Sequence, residues 1–387
     1  KGGFYRSGEN DQNFYIDIYN NKIIPKSEEI NHKAKVSAEL LEKGEETLFH
    51  LINNNSDETS ERKYTKFCRN VLGRILHYAA SLIPEITSSP QDIDDAMKLG
   101  FNWIRGPFEI IDALGKNIVI ELFKENGLNT PSSFDCFPFY RVEKDNLLVS
   151  NYSKSSENKY ELQPIILPNK AIRFHLERKK LKPIFENQSA SLFSINDKYR
   201  LIEFHSKANT LDNFSMDVVN AACNDHGDGI IVHNDAQHFS SGVNLNAFLS
   251  LIREKDWSGI DSFLIKFQQA VRSLKFLSVP VVGAPSGMAI GGGFEVLLHC
   301  DKIIAHSNSV LGLVEAGVGL IPGGGGVKET FLRCIESLEK PEDASWKTWM
   351  QIGYGQTGTS PERSSELLYY LPERDQTEMN RDYLINS

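Results

Sequence analysis

Five cysteines in 387 residues are too few and too scattered for a disulfide framework or a zinc finger. Cys68, Cys136, Cys223, Cys300 and Cys334 are odd in number and never spaced Cys-x-x-Cys, which predicts free thiols in a reducing compartment. No apolar run approaches the roughly 18 residues that a membrane-spanning helix needs, and nothing near the start resembles a signal peptide's apolar core. The sequence therefore reads as soluble and cytoplasmic, with no membrane span. Its formal net charge of -9, without a long block of one sign, argues against a nucleic-acid partner. Several catalytic signatures are missing too. The ten histidines form no His-Glu-x-x-His pair, and no Gly-x-Ser-x-Gly elbow occurs. Gly317-Val318-Gly319-Leu320-Ile321-Pro322 lacks the last glycine of a dinucleotide fingerprint, and Gly323 to Lys328 lacks the Gly-Lys-Ser/Thr ending of a phosphate loop. No metal site is expected.

What is present divides the chain. A length of 387 residues predicts two or three domains, because single cores stop growing near roughly 250–300 residues. The chain opens on Lys rather than Met and reads as part of a longer polypeptide. Residues 1–30 read as a domain's tail followed by an alternating segment, Phe14 to Tyr19, with a turn at Asn20-Asn21. Helical spacing runs over 32–54 and, more strongly, through Phe67, Val71, Leu72, Ile75, Tyr78 and Leu82. Ser89-Pro90-Gln91-Asp92 supplies an N-cap, a first-turn proline and an acidic residue for a helix that stops near Gly100. A further helix over 108–114 ends at Gly115, so 31–130 reads as a helical domain. Residues 131–187 are polar and proline-punctuated, which predicts a linker. From 188 onward, strands at 191–194, 199–204, 229–232 and 280–284 alternate with helices at 213–223 and 260–274, the signature of an α/β domain.

The chemistry concentrates in two glycine clusters, each attached to a glutamate. Gly291-Gly292-Gly293-Phe294-Glu295 leads into a helix, and Gly312-Leu313-Val314-Glu315 is followed by Ile321-Pro322-Gly323-Gly324-Gly325-Gly326. Glycines let a backbone approach a ligand so that amides can stabilise a developing oxyanion, and two carboxyls offer an acid and a base.

Read with its flanks, this stretch resembles the crotonase superfamily, the enoyl-CoA hydratases and isomerases. Asp92-Ile93-Asp94-Asp95-Ala96-Met97-Lys98-Leu99-Gly100-Phe101 followed by Gly106-Pro107-Phe108-Glu109 resembles the C-terminal helical domain of 3-hydroxyacyl-CoA dehydrogenases. Gly2-Gly3-Phe4-Tyr5 looks like the end of a preceding repeat of the same kind. The resemblance implies a multidomain chain: a repeat's tail at 1–30, an all-α dehydrogenase C-terminal-like domain at 31–130, a linker at 131–187, and an α/β crotonase-like spiral domain at 188–387. It implies oxyanion amides at Val243 and Gly292, where the family usually carries alanine at the Val243 position and aspartate at Asn244. Glu295 is then expected to activate water and Glu315 to protonate Cα. Lys207, Ala208, Ser241, Gly242, Gly291, Pro322 and Gly323 are expected around the CoA ester. The implied reaction is hydration of a trans-2-enoyl-CoA to a 3-hydroxyacyl-CoA in fatty-acid β-oxidation, with no cofactor. NAD enters only through a dinucleotide-binding domain that this sequence does not contain, so dehydrogenase activity is not expected from this chain alone. Alternatives are Δ3,Δ2-enoyl-CoA isomerisation with Glu315 as proton shuttle, or a non-catalytic CoA-ester-binding or scaffolding module. A homo-oligomer is compatible with this reading, and the early end after Asp375 is expected to weaken the acyl pocket or the trimer contacts that crotonases often use.

Overall fold

The computed structural model describes residues 5–7, 13–17, 22–25, 52, 59–101, 103–144, 146–154, 159–338 and 340–387. The chain divides into two compact units, 1–74 and 75–387. In the first, β1 (Tyr5–Ser7), β2 (Asn13–Asp17) and β3 (Lys22–Pro25) form an antiparallel meander, with Asp17 opposite Lys22. The alternation expected near Phe14 is thus a hairpin strand, while its turn at Asn20-Asn21 lies outside the described residues. The helix expected over 32–54 also lies outside them, except for buried Ile52. The boundary between units falls within α1 (Thr59–Ser81).

The second unit begins with α2 (Pro90–Phe101), α3 (Pro107–Leu114) and α4 (Lys116–Glu125). Ser89 Oγ accepts the Gln91 amide at 3.3 Å, as the sequence signature requires. Asp94 of α2 reaches the start of α3 and accepts the amides of Phe108 (2.8 Å) and Glu109 (3.1 Å), orphan donors of a helix N-terminus. The two helices approach so closely there that a Cβ on Gly106 would fall 2.2 Å from Asp94 Cγ. Phe108, Phe123, Phe134 and Phe139 pack edge to face beneath them.

The stretch expected as a linker is folded. β4 (Tyr140–Glu143), β5 (Asn146–Tyr152) and β6 (Tyr160–Pro164) form an antiparallel sheet, tied to α2's approach by a 2.7 Å bond from the Tyr152 amide to Ser88 O. Its composition misled because β6 is almost wholly exposed and needs few apolar residues. One short helix, α5 (Phe174–Glu177), follows, with Phe174 buried against Phe193 and Leu201.

The α/β part runs β7 (Phe185–Glu186), β8 (Ala190–Ile195), β9 (Tyr199–Phe204), α6 (Asn213–Asn224), β10 (Ile230–His233), α7 (Leu245–Glu254), α8 (Trp257–Lys275), β11 (Val281–Ala284), β12 (Met288–Ile290), α9 (Gly292–Leu298), β13 (Lys302–His306), β14 (Val310–Gly312), α10 (Gly326–Leu338), α11 (Pro341–Gly353), β15 (Thr357–Gly358), α12 (Pro361–Glu366) and β16 (Gln376–Glu378). The main sheet has the order β16-β13-β11-β10-β9-β8-β7, parallel from β9 to β16 and antiparallel at the β7–β8–β9 edge. A second small sheet, β12-β14-β15, carries the glycine clusters. The final segment supplies β16, and buried Asp375 accepts the Ile303 amide at 2.9 Å. Among the described residues no helix is long and apolar enough to cross a membrane.

Candidate active site

The triglycine lets α9 start in tight contact with the loop that follows β10. A Cβ on Gly293 would lie 2.5 Å from Ser240 Cβ, and one on Gly292 would lie 2.8 Å from Val243 Cγ2 and 3.4 Å from the Val243 nitrogen. Both amides expected as oxyanion donors therefore meet at one place. Gly292 is the first residue of α9, so its N–H has no intrahelical acceptor. Around Val243, Gly242 O accepts the Leu211 amide (2.8 Å) and the Asn244 amide donates to Leu211 O (2.9 Å). In such an extended pairing the intervening Val243 N–H points away from Leu211. Asn244, which stands where an aspartate was expected, caps α7 through the Asn246 amide at 3.1 Å.

Two side chains lock this loop, and neither stood out in the sequence. Ser240 Oγ donates to Asn209 O (2.7 Å) and accepts the Gly242 amide (3.2 Å), while Asn209 Nδ2 donates to His238 O (2.8 Å). Ser241 donates from both its amide (3.2 Å) and its hydroxyl (3.1 Å) to Ala208 O. Ser241, Gly242 and Ala208 are thus brought together, with Lys207 beside them in the Lys207–Asn209 turn. Lone serines and asparagines carry no periodic signal, so only their partners reveal them.

Glu295 lies in the first turn of α9 and is buried. One of its oxygens, Oε1, accepts the amides of Gly324 and Gly326, both at 2.8 Å. The tetraglycine is therefore a cradle for a protein carboxylate, and the fit is close: a Cβ on Gly324 would fall 2.2 Å from Phe267 Cε1. Burial, helped by the charge of Glu315, raises the Glu295 pKa to about 7 against the pull of those two amides. Glu315 sits in a 3₁₀ turn, Glu315–Val318, with Oε1 3.3 Å from where a Cβ on Gly291 would stand. Burial raises its pKa as well, its own amide and that of Val314 opposing the shift. Its Oε2 is buried and accepts no hydrogen bond among the described residues. Pro322 and Gly323 form the turn after it, which packs on α8, where Gln268 Nε2 donates to Gly323 O at 2.6 Å.

Residues 201–336 match the family model for enoyl-CoA hydratase/isomerase, and residues 67–141 match that for the 3-hydroxyacyl-CoA dehydrogenase C-terminal domain. The chain thus joins a helical 3-hydroxyacyl-CoA dehydrogenase C-terminal domain to a crotonase-like α/β domain. Among its relatives is a Bacillus subtilis protein named "Probable 3-hydroxyacyl-CoA dehydrogenase", 32% identical over 325 residues that cover 82% of this chain and 40% of that protein. A Rickettsia felis protein named "Putative fatty acid oxidation complex trifunctional enzyme" is 29% identical over 339 residues, 86% of this chain and 42% of that protein. The chain spans about two fifths of the length of these curated relatives. An enoyl-CoA hydratase structure from Bacillus anthracis aligns with 20% identity and a TM-score of 0.43, covering 51% of this chain and 73% of that one.

Proposed function

We propose that the crotonase-like domain hydrates trans-2-enoyl-CoA thioesters to 3-hydroxyacyl-CoA, as part of a larger fatty-acid oxidation enzyme. The observation that carries this reading is the pair of carboxyls, buried Glu295 and partly buried Glu315, beside the closely placed amides of Val243 and Gly292. In the proposed reaction the thioester oxygen takes the negative charge of the enolate and is stabilised by those two amides. Water sits between the carboxyls. Its oxygen bonds to Cβ, its proton passes to the ionised carboxyl, and the neutral carboxyl delivers a proton to Cα, so the π pair of the alkene becomes the new Cα–H bond.

This needs one proton on the pair. Burial and like-charge repulsion supply that condition, and the larger upward shift falls on Glu295. For Glu315 to protonate Cα, as the family resemblance implies, that proton crosses from Glu295 through the shared water when the thioester seats. Lys207, Ala208 and Ser241 are proposed to face the CoA end, and Gly242, Gly291, Pro322 and Gly323 the thioester. Hydration in this scheme uses no cofactor or metal, and NAD belongs to a dinucleotide-binding domain outside this sequence.

The test follows the enoyl absorbance of crotonyl-CoA and of a longer 2-enoyl-CoA with purified chain and no added nucleotide. Loss of absorbance that disappears in Glu295→Gln and Glu315→Gln supports the hydratase. Conversion of a 3-enoyl-CoA that survives Glu295→Gln but not Glu315→Gln moves the assignment to isomerisation, and unchanged rates in both variants sink it.

A further inference from the structure

The segment that reads as a linker holds a cluster that the proposed reaction does not use. His175 of α5 is partly buried between two carboxylates from different domains. Its Nε2 lies 3.1 Å from Glu109 Oε1, on α3 of the helical domain, and its Nδ1 lies 2.6 Å from Asp235 Oδ2, just beyond β10 of the α/β domain. The His175 backbone amide also donates to Asp235 Oδ2 at 3.0 Å. Two residues earlier, Arg173 repeats the pattern, pairing with Asp95 of α2 at 2.5 Å and with Asp382 near the C-terminus at 2.8 Å. Between them Phe174 enters the core, so consecutive residues anchor the segment on three sides.

Asp235 leads directly into the site. The preceding residue, Asn234, accepts the Phe204 amide at 2.6 Å through Oδ1, and its Nδ2 donates to Phe239 O, one residue before Ser240. From Ser240 the chain reaches the Val243 amide within three residues. We propose that Arg173–Leu176 is a keystone through which the helical domain sets the position of the oxyanion loop, with His175 as the positioning residue. The kinetic part of this inference rests on the hydratase reading.

The bridge is strongest while the imidazole is charged. The two carboxylates raise the His175 pKa against the opposing effect of burial, so its charge is present below that raised value and lost as pH climbs through it. The charged and titratable groups around the bridge are Lys98 and Asp94 from α2, Glu109 from α3, Tyr140 from β4, His233 from β10, Asp235 after it, and Arg381 from the last turn, 3.3 Å from Asp235 Oδ1.

The experiment compares the full chain with His175→Ala and Glu109→Gln, reading amide hydrogen exchange at residues 238–243 and steady-state hydration of crotonyl-CoA. The expected result is exchange in that loop about tenfold faster while exchange in β13 is unchanged, with kcat about tenfold lower and KM little altered. In the wild type the loop should also open as pH rises through the His175 titration, and that dependence should vanish in His175→Gln. Glu109→Gln keeps the shape of its side chain and serves if His175→Ala does not fold. Loop exchange that stays at the wild-type rate in the folded variants overturns the proposal, whatever the kinetics. A wild-type chain without hydration would sink the proposed function alone, because exchange still decides the keystone.

Discussion

A single carboxyl, that of Glu295, shows how position converts a common side chain into a catalytic candidate. Exposed, it would ionise near 4.5, whereas in the folded chain it stays neutral up to about 7, first because it is buried and then because Glu315 is close. The pair should therefore lose its last shared proton near pH 7, and kcat/KM for hydration is expected to fall on the alkaline side of that value. A profile that stays flat from about pH 6 to about pH 9 would remove the shared-proton mechanism. Replacing either glutamate by glutamine should lower kcat by about 10²-fold or more in the absorbance assay. The same shift has a stability sign. A carboxyl whose folded pKa is raised favours folding below its unfolded value, and that contribution is lost as pH rises through the folded one. Glu295→Gln, which keeps Oε1 for the amides of Gly324 and Gly326, is thus expected to be more stable than the wild type above about pH 7, on the order of 1–3 kcal/mol by chemical denaturation.

Among the structural elements, glycine runs do different work in different places. The run at 291–293 allows close approach of a loop, whereas the run at 323–326 turns amides onto Glu295 and lies against Phe267. Gly324→Ala should cost about 1–3 kcal/mol in urea denaturation and lower kcat, because its Cβ must displace either Phe267 or the amide cradle. Gly317→Ala is the control: a Cβ there would meet nothing within 4 Å, and stability and rate should both hold. Long elements were legible beforehand. The spacing at 199–204 and 213–223 corresponds to β9 and α6 within a residue, because both combine a clear period with a terminal signal. By contrast β12, β14 and β15 are two or three residues long and carry no period to detect, although they form the sheet on which the glycine loops of the candidate site sit.

For the molecule as a whole, the misreading of 131–187 matters most. Exposed strands and short helices are poor in apolar residues, so composition alone cannot separate them from a flexible connection. Arg173, nearly fully buried between Asp95 and Asp382, makes the difference measurable. Arg173→Ala leaves two carboxylates without their cation and should lower stability by about 3–5 kcal/mol in equilibrium denaturation, whereas a true linker would tolerate it with no change.

The residues at 89–115, 238–245 and 276–330 carried, through their resemblance to known families, the domain types, the two candidate acids and the two candidate amides, because glycine runs, caps and short motifs are local properties of the chain. Only the tertiary structure decided which oxygen of Glu295 is held, that Ser240 and Asn209 lock the candidate oxyanion loop, and that His175 bridges carboxylates of two domains. Those features depend on hydrogen-bond partners 29 to 66 residues apart, and no local pattern records a contact made across such distances.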